Sequence, residues 1–332
     1  LIHEKLSIGK RKGLISTSDA FGGFSILAFD HRQSLIKGVA DQDWSSPEAL
    51  YDMISNLKVD VIKSLSPFVS AVLTDPEFGA AQIIASNALA HGKGLLVALE
   101  ESGYQGTSNA RLSSLLKDWS VAKIHRMGAD AVKVLVYYHP DAGVQTDHTE
   151  NLLRRVIDEC KTYDIALFLE AVSYSVDIDH NKKSAEFAKA KPDLITRMAD
   201  RLSNLGADIL KLEFPVDPKF DPDDNHWESA CRAVTDAVSC PWTVLSAGVD
   251  FDLFVKMVEV ACKQGASGFI GGRAIWKEAL SLEKSKRRTW LEKVARDRLH
   301  QLNKIVDEWA TPWWKVYPTD QISDYKDWYK GY

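Results

Sequence analysis

Gly206-Ala207-Asp208-Ile209-Leu210-Lys211-Leu212-Glu213-Phe214-Pro215 is a short apolar run with a lysine in its middle and a carboxylate two residues later. Read as a strand, it turns Lys211 and Glu213 to one face and Leu210 and Leu212 to the other. The glycine ahead of it is the usual residue for ending a helix before a strand starts. Gly128-Ala129-Asp130-Ala131-Val132-Lys133 repeats this grammar, lysine included, and Gly265-Ala266-Ser267-Gly268-Phe269-Ile270 repeats it without the lysine.

Working outward, apolar runs at 24–30, 71–75, 95–100, 131–137, 166–170, 209–214, 242–246 and 267–271 read as strands. Helical stretches follow them at 46–64, 79–91, 115–127, 149–163, 192–205, 227–238, 252–263 and 273–280. Strands alternating with helices pair in parallel, and eight such units predict closure into an α/β fold of the (β/α)8 TIM-barrel type. One domain is expected: an N-terminal arm or leader helix over 1–23, the barrel over 24–280, and a helical extension over 281–332. A doubly wound open sheet is the alternative, weakened because no GxGxxG follows any strand.

The 332 residues are 45% hydrophobic and 26% charged with a net charge of −5, a balance that buries a full core. It leaves no basic footprint for nucleic acid or an anionic membrane. The cysteines Cys160, Cys231, Cys240 and Cys262 form no CxxC pair and read as buried free thiols, which points to a reducing, cytoplasmic setting. Neither a signal peptide nor a membrane span is expected. No His/Cys/Asp spacing suggests a metal site.

Barrel enzymes react at the carboxyl ends of their strands. Those ends carry Asp30, Asp75, Glu100 and Glu101, Lys133, Glu170, Lys211 with Glu213, Ser246 and, just after the last strand, Arg273. A lone strand lysine is more often a snorkelling or ion-paired side chain than a nucleophile, and a ring of buried ion pairs would also fix the register. Two inward lysines with carboxylates around them favour amine chemistry, because desolvation yields a nucleophilic neutral amine. Ser246-Ala247-Gly248-Val249 and Gly271-Gly272-Arg273-Ala274 each open a helix after adjacent strands, a pattern that cradles a phosphate.

With those residues assembled, Leu27-Ala28-Phe29-Asp30-His31-Arg32, Asp75-Pro76-Glu77-Phe78-Gly79, Asp118-Trp119-Ser120, Phe168-Leu169-Glu170 and Leu245-Ser246-Ala247-Gly248-Val249 resemble the class I tagatose-1,6-bisphosphate aldolases. The stretch from Pro241 to Trp276 is similar also to sulfofructosephosphate aldolases. The resemblance implies a Schiff-base lysine at Lys211, with Lys133, Glu170 and Asp30 as its catalytic companions. It further implies substrate-phosphate contacts from Ser246, Gly248, Gly272 and Arg273, with Arg32 or another first-loop cation at the far phosphate. No cofactor is then expected beyond the covalent link to Lys211. One departure stands out: Glu100-Glu101 occupies a place where the tagatose enzymes carry Glu-Lys.

The expected reaction is reversible cleavage of a ketohexose 1,6-bisphosphate, tagatose 1,6-bisphosphate first, to dihydroxyacetone phosphate and glyceraldehyde 3-phosphate. Lys133 and burial would keep Lys211 neutral, and the barrel interior would raise the Glu170 pKa. Glu170 and Asp30 stay open as the base for carbon–carbon cleavage. The alternatives are a sulfofructosephosphate aldolase, releasing sulfolactaldehyde, or a sugar-phosphate-sensing regulator with little turnover. A homo-oligomer, dimer or tetramer, is expected, and the tail bearing Trp309, Trp313, Trp314 and Tyr317 covers either the barrel bottom or a subunit interface.

Overall fold

A computed structural model describes residues 6–38, 46–317 and 325–332. The strands are β1 Phe24–Phe29, β2 Ala71–Thr74, β3 Gly94–Ala98, β4 Gln105–Thr107, β5 Ala110–Leu112, β6 Ala131–Tyr138, β7 Ala166–Ser173, β8 Ile209–Leu212, β9 Trp242–Leu245 and β10 Gly268–Gly271. Eight of them close a parallel barrel in the order β1-β10-β9-β8-β7-β6-β3-β2, the fold the alternating pattern predicts. Every residue of β1, β2, β3, β8, β9 and β10 is buried, because the helices seal the outer face and side chains fill the interior.

Helix boundaries depart from the periodicity where caps decide them. The helix after β2 covers only Ala80–Ala85 rather than reaching residue 91. Asn87 takes a left-handed φ of 52°, its N–H donates to Ile84 O at 3.1 Å, and Ala88 N donates to Ile83 O at 2.8 Å. That pair of bonds is the Schellman stop, with asparagine in the usual glycine place. Ser184 caps the helix Ala185–Leu205 by accepting from Phe187 N at 3.1 Å, so it starts seven residues earlier than Pro192 suggests. The helix expected over 115–127 shrinks to Val121–Arg126. Ahead of it the β4–β5 hairpin, absent from the sequence reading, is held where Arg111 stacks on Tyr104 and Tyr137 at 4.4 and 5.0 Å.

The aspartates of the repeated strand starts fasten the N-terminal helix Ile8–Thr17 beneath the barrel. Lys10 Nζ lies 2.9 and 3.0 Å from the two Asp208 carboxylate oxygens, and Lys12 Nζ lies 2.5 Å from Asp130. Each aspartate also caps a neighbouring strand: Asp130 accepts from Leu95 N at 3.0 Å and Asp208 from Leu167 N at 2.8 Å. The tail joins the same floor. Trp313 and Tyr317 are buried, the indole N–H donating to Ser18 Oγ at 3.1 Å and the Tyr317 hydroxyl to Asp208 O at 3.0 Å. These two aromatics cover the barrel bottom, while Trp309 stays exposed. With the floor closed, the open end is the one where the strands finish.

Candidate active site

In the register Glu170 sits directly opposite Lys211, and Leu135 sits opposite Glu170, so Lys133 is one inward step below on the next strand. Pleat and pairing alone therefore bring the three side chains to one spot inside the barrel. Lys211 Nζ lies 2.7 Å from Glu170 Oε2, and Lys133 Nζ lies 3.0 Å from the same oxygen. Asp30, just past β1, reaches Lys133 at 2.7 Å, and Glu100, just past β3, reaches it at 2.6 Å.

Lys133 is fully buried among three carboxylates. Burial alone would lower its pKa, but Asp30, Glu100 and Glu170 outweigh burial and raise it well above the usual lysine value. For Asp30, burial pushes upward, and Lys133, Lys211 and His31 overcome it to hold the carboxyl well below its ordinary range. Glu170 follows the same balance: burial raises, Lys133 and Lys211 lower, and the net direction is down. This corrects the expectation of a raised pKa at Glu170, which counted the barrel interior and omitted two ammonium groups at contact distance. It also changes the part given to Lys133, whose charge is neutralised by three carboxylates and not aimed at Lys211.

Around this cluster stands a layer the sequence reading largely missed. Lys58 projects from the helix Pro47–Leu65, fully buried, and donates to Phe29 O at 2.7 Å, His31 O at 2.9 Å and the Asp75 carboxylate. It thereby fixes the backbone on both sides of Asp30. A signal existed: Lys58 lies on the apolar stripe of Ile54, Val61 and Ile62, where a solvated lysine has no place. Asp75 in turn accepts from Glu77 N and Phe78 N at 3.0 and 2.8 Å, which accounts for the Asp-Pro-Glu-Phe-Gly motif as a turn. Arg32 donates to Glu77 at 2.8 Å and to the Glu100 carbonyl at 2.7 Å, and its side chain is 3% exposed. Glu213, on the same strand face as Lys211, pairs with Lys182 at 2.5 Å and accepts from Ser173 N at 2.7 Å, so it does not orient Lys211.

The two loops after β9 and β10 face one another. Ser246–Val249 is a turn closed by Val249 N donating to Ser246 O at 3.1 Å, with Ala247 and Gly248 at φ of 48° and 78°. A left-handed non-glycine residue is strained backbone of the kind that gathers at functional sites. A Cβ on Gly248 would stand 3.2 Å from Arg273 Cζ, and one on Gly272 would stand 2.7 Å from Ala28 O. Arg273 is exposed and makes no hydrogen bond or ion pair among the described residues. The helix it opens is four residues long, Arg273–Trp276, before a 3-10 segment, so any anion grip here comes from N–H groups and the guanidinium and not from a long helix dipole.

A cavity of about 740 Å3 opens over all of this, lined by Asp30, His31, Lys37, Lys133, Glu170, Lys211 and Arg273 among others. All four cysteines are buried and free, away from it. No helix among the described residues is long and apolar enough to cross a membrane.

A family model described as DeoC/LacD family aldolase matches residues 24–278. The tagatose 1,6-diphosphate aldolase of Listeria monocytogenes serotype 4a (strain HCC23) is 32% identical, the match covering 94% of this chain and 96% of that protein. Tagatose 1,6-diphosphate aldolase 1 of Streptococcus pyogenes serotype M1 is 35% identical over 88% of this chain and 94% of its own. Among solved structures, a fructose-bisphosphate aldolase from Slackia heliotrinireducens DSM 20476 superposes with a TM-score of 0.63 at 12% identity, covering 92% and 94% of the two chains. A Schiff base forming fructose-1,6-bisphosphate aldolase superposes at 0.55 with 18% identity, covering 89% and 98%. The structural likenesses establish the barrel.

Proposed function

The chain belongs to the DeoC/LacD family of aldolases and is an aldehyde-lyase, and from that premise we propose that it cleaves a ketohexose 1,6-bisphosphate through a Schiff base on Lys211. Tagatose 1,6-bisphosphate is the substrate put forward, giving dihydroxyacetone phosphate and glyceraldehyde 3-phosphate. The observation that supports it most is the 2.7 Å contact of Lys211 Nζ with Glu170, backed by Lys133 on the same oxygen.

Glu170 takes a proton from the Lys211 ammonium, and the freed amine attacks C2 of the ketose. The proton returns to the carbinolamine oxygen and water leaves, giving an iminium that draws electrons from the C3–C4 bond. Asp30 or Glu170 accepts the C4 hydroxyl proton as that bond breaks, the aldehyde departs, and an enamine remains. Protonation at C3 and hydrolysis release dihydroxyacetone phosphate and restore the amine. Lys133 keeps the surrounding carboxylates ionised and therefore able to accept protons. Ser246, Gly248, Gly272 and Arg273 hold the C1 phosphate. Of the first-loop cations, Arg32 is committed to Glu77 and Glu100, whereas Lys37 is exposed and lines the cavity, so the far phosphate is assigned to Lys37. The buried free thiols suit a cytoplasmic enzyme.

The deciding experiment is borohydride reduction in the presence of dihydroxyacetone phosphate, followed by peptide mass mapping. The adduct is expected on Lys211 with parallel loss of aldol cleavage; an adduct confined to another lysine would overturn the assignment. Arg273→Ala tests the phosphate grip. It is expected to raise KM for the bisphosphate by about 10- to 100-fold, the usual worth of a charge-assisted contact, and an unchanged KM removes the role.

A further inference from the structure

His31 is a pocket side chain to which the proposed chemistry gives no task. It follows Asp30 directly, its backbone carbonyl is held by Lys58 at 2.9 Å, and its ring stands edge-on to Trp276 with centroids 5.3 Å apart. Cε1 lies 3.1 Å from the place a Cβ on Gly272 would take, so the ring is wedged against the proposed phosphate wall. On its other side Nδ1 is buried without a hydrogen-bond partner, 3.8 Å from Asp30 Oδ1. The ring lines the cavity.

We infer that His31 is a specificity-determining residue whose Nε2 accepts a hydrogen bond from the hydroxyl on C3, the carbon beside the ketone in the dihydroxyacetone phosphate half of the substrate. The inference rests on the Schiff-base reading of Lys211. Phosphate at Gly272 and Arg273 and C2 at Lys211 leave C3 as the next atom along the chain, beside the ring that spans Gly272 and Asp30. The Asp30 carboxylate favours the imidazole proton on Nδ1, which leaves the accepting lone pair on Nε2. The charged groups facing the ring are Asp30, Arg273, Lys211 and Lys58. Burial lowers the His31 pKa to about 4 against the pull of Asp30, so the ring is uncharged near neutrality and able to accept. An acceptor placed for a hydroxyl discriminates against a ligand that lacks it.

The test compares borohydride trapping by dihydroxyacetone phosphate and by hydroxyacetone phosphate, which lacks only the C3 hydroxyl. Half-saturating concentrations are read from the mass adduct on Lys211. The wild-type chain is expected to prefer dihydroxyacetone phosphate by about 10- to 100-fold, the worth of one such hydrogen bond, and His31→Leu to bring the two ketoses nearly level. His31→Gln, whose amide reaches the Nε2 position, should keep the preference, and His31→Asn, whose amide reaches only Nδ1, should lose it. If the leucine variant does not fold, the glutamine and asparagine variants decide by themselves. An unchanged ratio in the leucine variant, rescue by asparagine and not glutamine, or no preference in the wild type overturns the inference. A wild-type chain that traps neither ketose on Lys211 overturns the Schiff-base reading, and the inference falls with it. That result is distinct from trapping without preference.

Discussion

Lys211→Met is expected to lower kcat for ketose bisphosphate cleavage by at least about 10^4-fold, the scale on which covalent nucleophiles fail when removed. Methionine is chosen because it matches the lysine stem in length and fills irregular space, so the inner layer between Glu170 and Thr243 stays packed. The variant should fold. Glu170 loses one ammonium at 2.7 Å and keeps Lys133 at 3.0 Å, so its carboxylate is not stranded. The stability loss should fall at about 1–3 kcal/mol, as for one removed partner of a charged hydrogen bond. Two measurements separate chemistry from damage: coupled detection of dihydroxyacetone phosphate for turnover, and urea unfolding for stability. Cleavage retained within about tenfold of wild type, on a folded variant, would remove Lys211 as nucleophile.

The barrel was legible because each strand is an apolar run bounded by a glycine or a polar turn, and the Gly-Ala-Asp starts repeat. The structure adds what those aspartates do, which is to cap neighbouring strands and hold the N-terminal helix. The helix ends were less legible. Asn87 in a left-handed conformation and Ser184 as a cap act through single local bonds that hydrophobic periodicity does not register. Of the candidate site, pleat and pairing bring Lys133, Glu170 and Lys211 together from within their strands, with Asp30 just past β1, although Lys133 lies five residues before the end of β6 and not at it. The direction of the Glu170 shift was not legible. It depends on two lysines at 3.0 Å or less, and a sequence gives their side of the strand but not their distance. Glu101 stands where the tagatose enzymes carry a lysine, but the sequence did not show that its neighbour Glu100 is the third carboxylate on Lys133. Arg32 was visible as a cation, while its burial against Glu77 and Glu100 depends on a long-range fold contact.

Lys133→Met should produce the largest change in stability, and a change in the sign of its pH dependence. Three carboxylates lie within 3.0 Å of the Lys133 ammonium inside the barrel. Removing one partner from a buried ion cluster costs about 3–5 kcal/mol, because the charges left behind are desolvated and unpaired. In the wild-type chain the Asp30 and Glu170 pKa values are depressed relative to the unfolded chain. Their contribution to stability is therefore complete above the ordinary carboxylate range, near pH 4, and is lost as pH falls below it. In the variant Asp30 loses its nearest ammonium and burial should lift its carboxyl above the unfolded value, while Glu170 keeps Lys211 at 2.7 Å. A group raised in this way stabilises only while protonated, and the variant should lose stability as pH rises through about 4 to 7, where wild type is level or gaining. Urea midpoints measured across that range for both proteins test the argument. Parallel profiles would mean that Lys133 does not hold the carboxylates ionised, and that Glu170 gains its readiness to accept a proton from some other source.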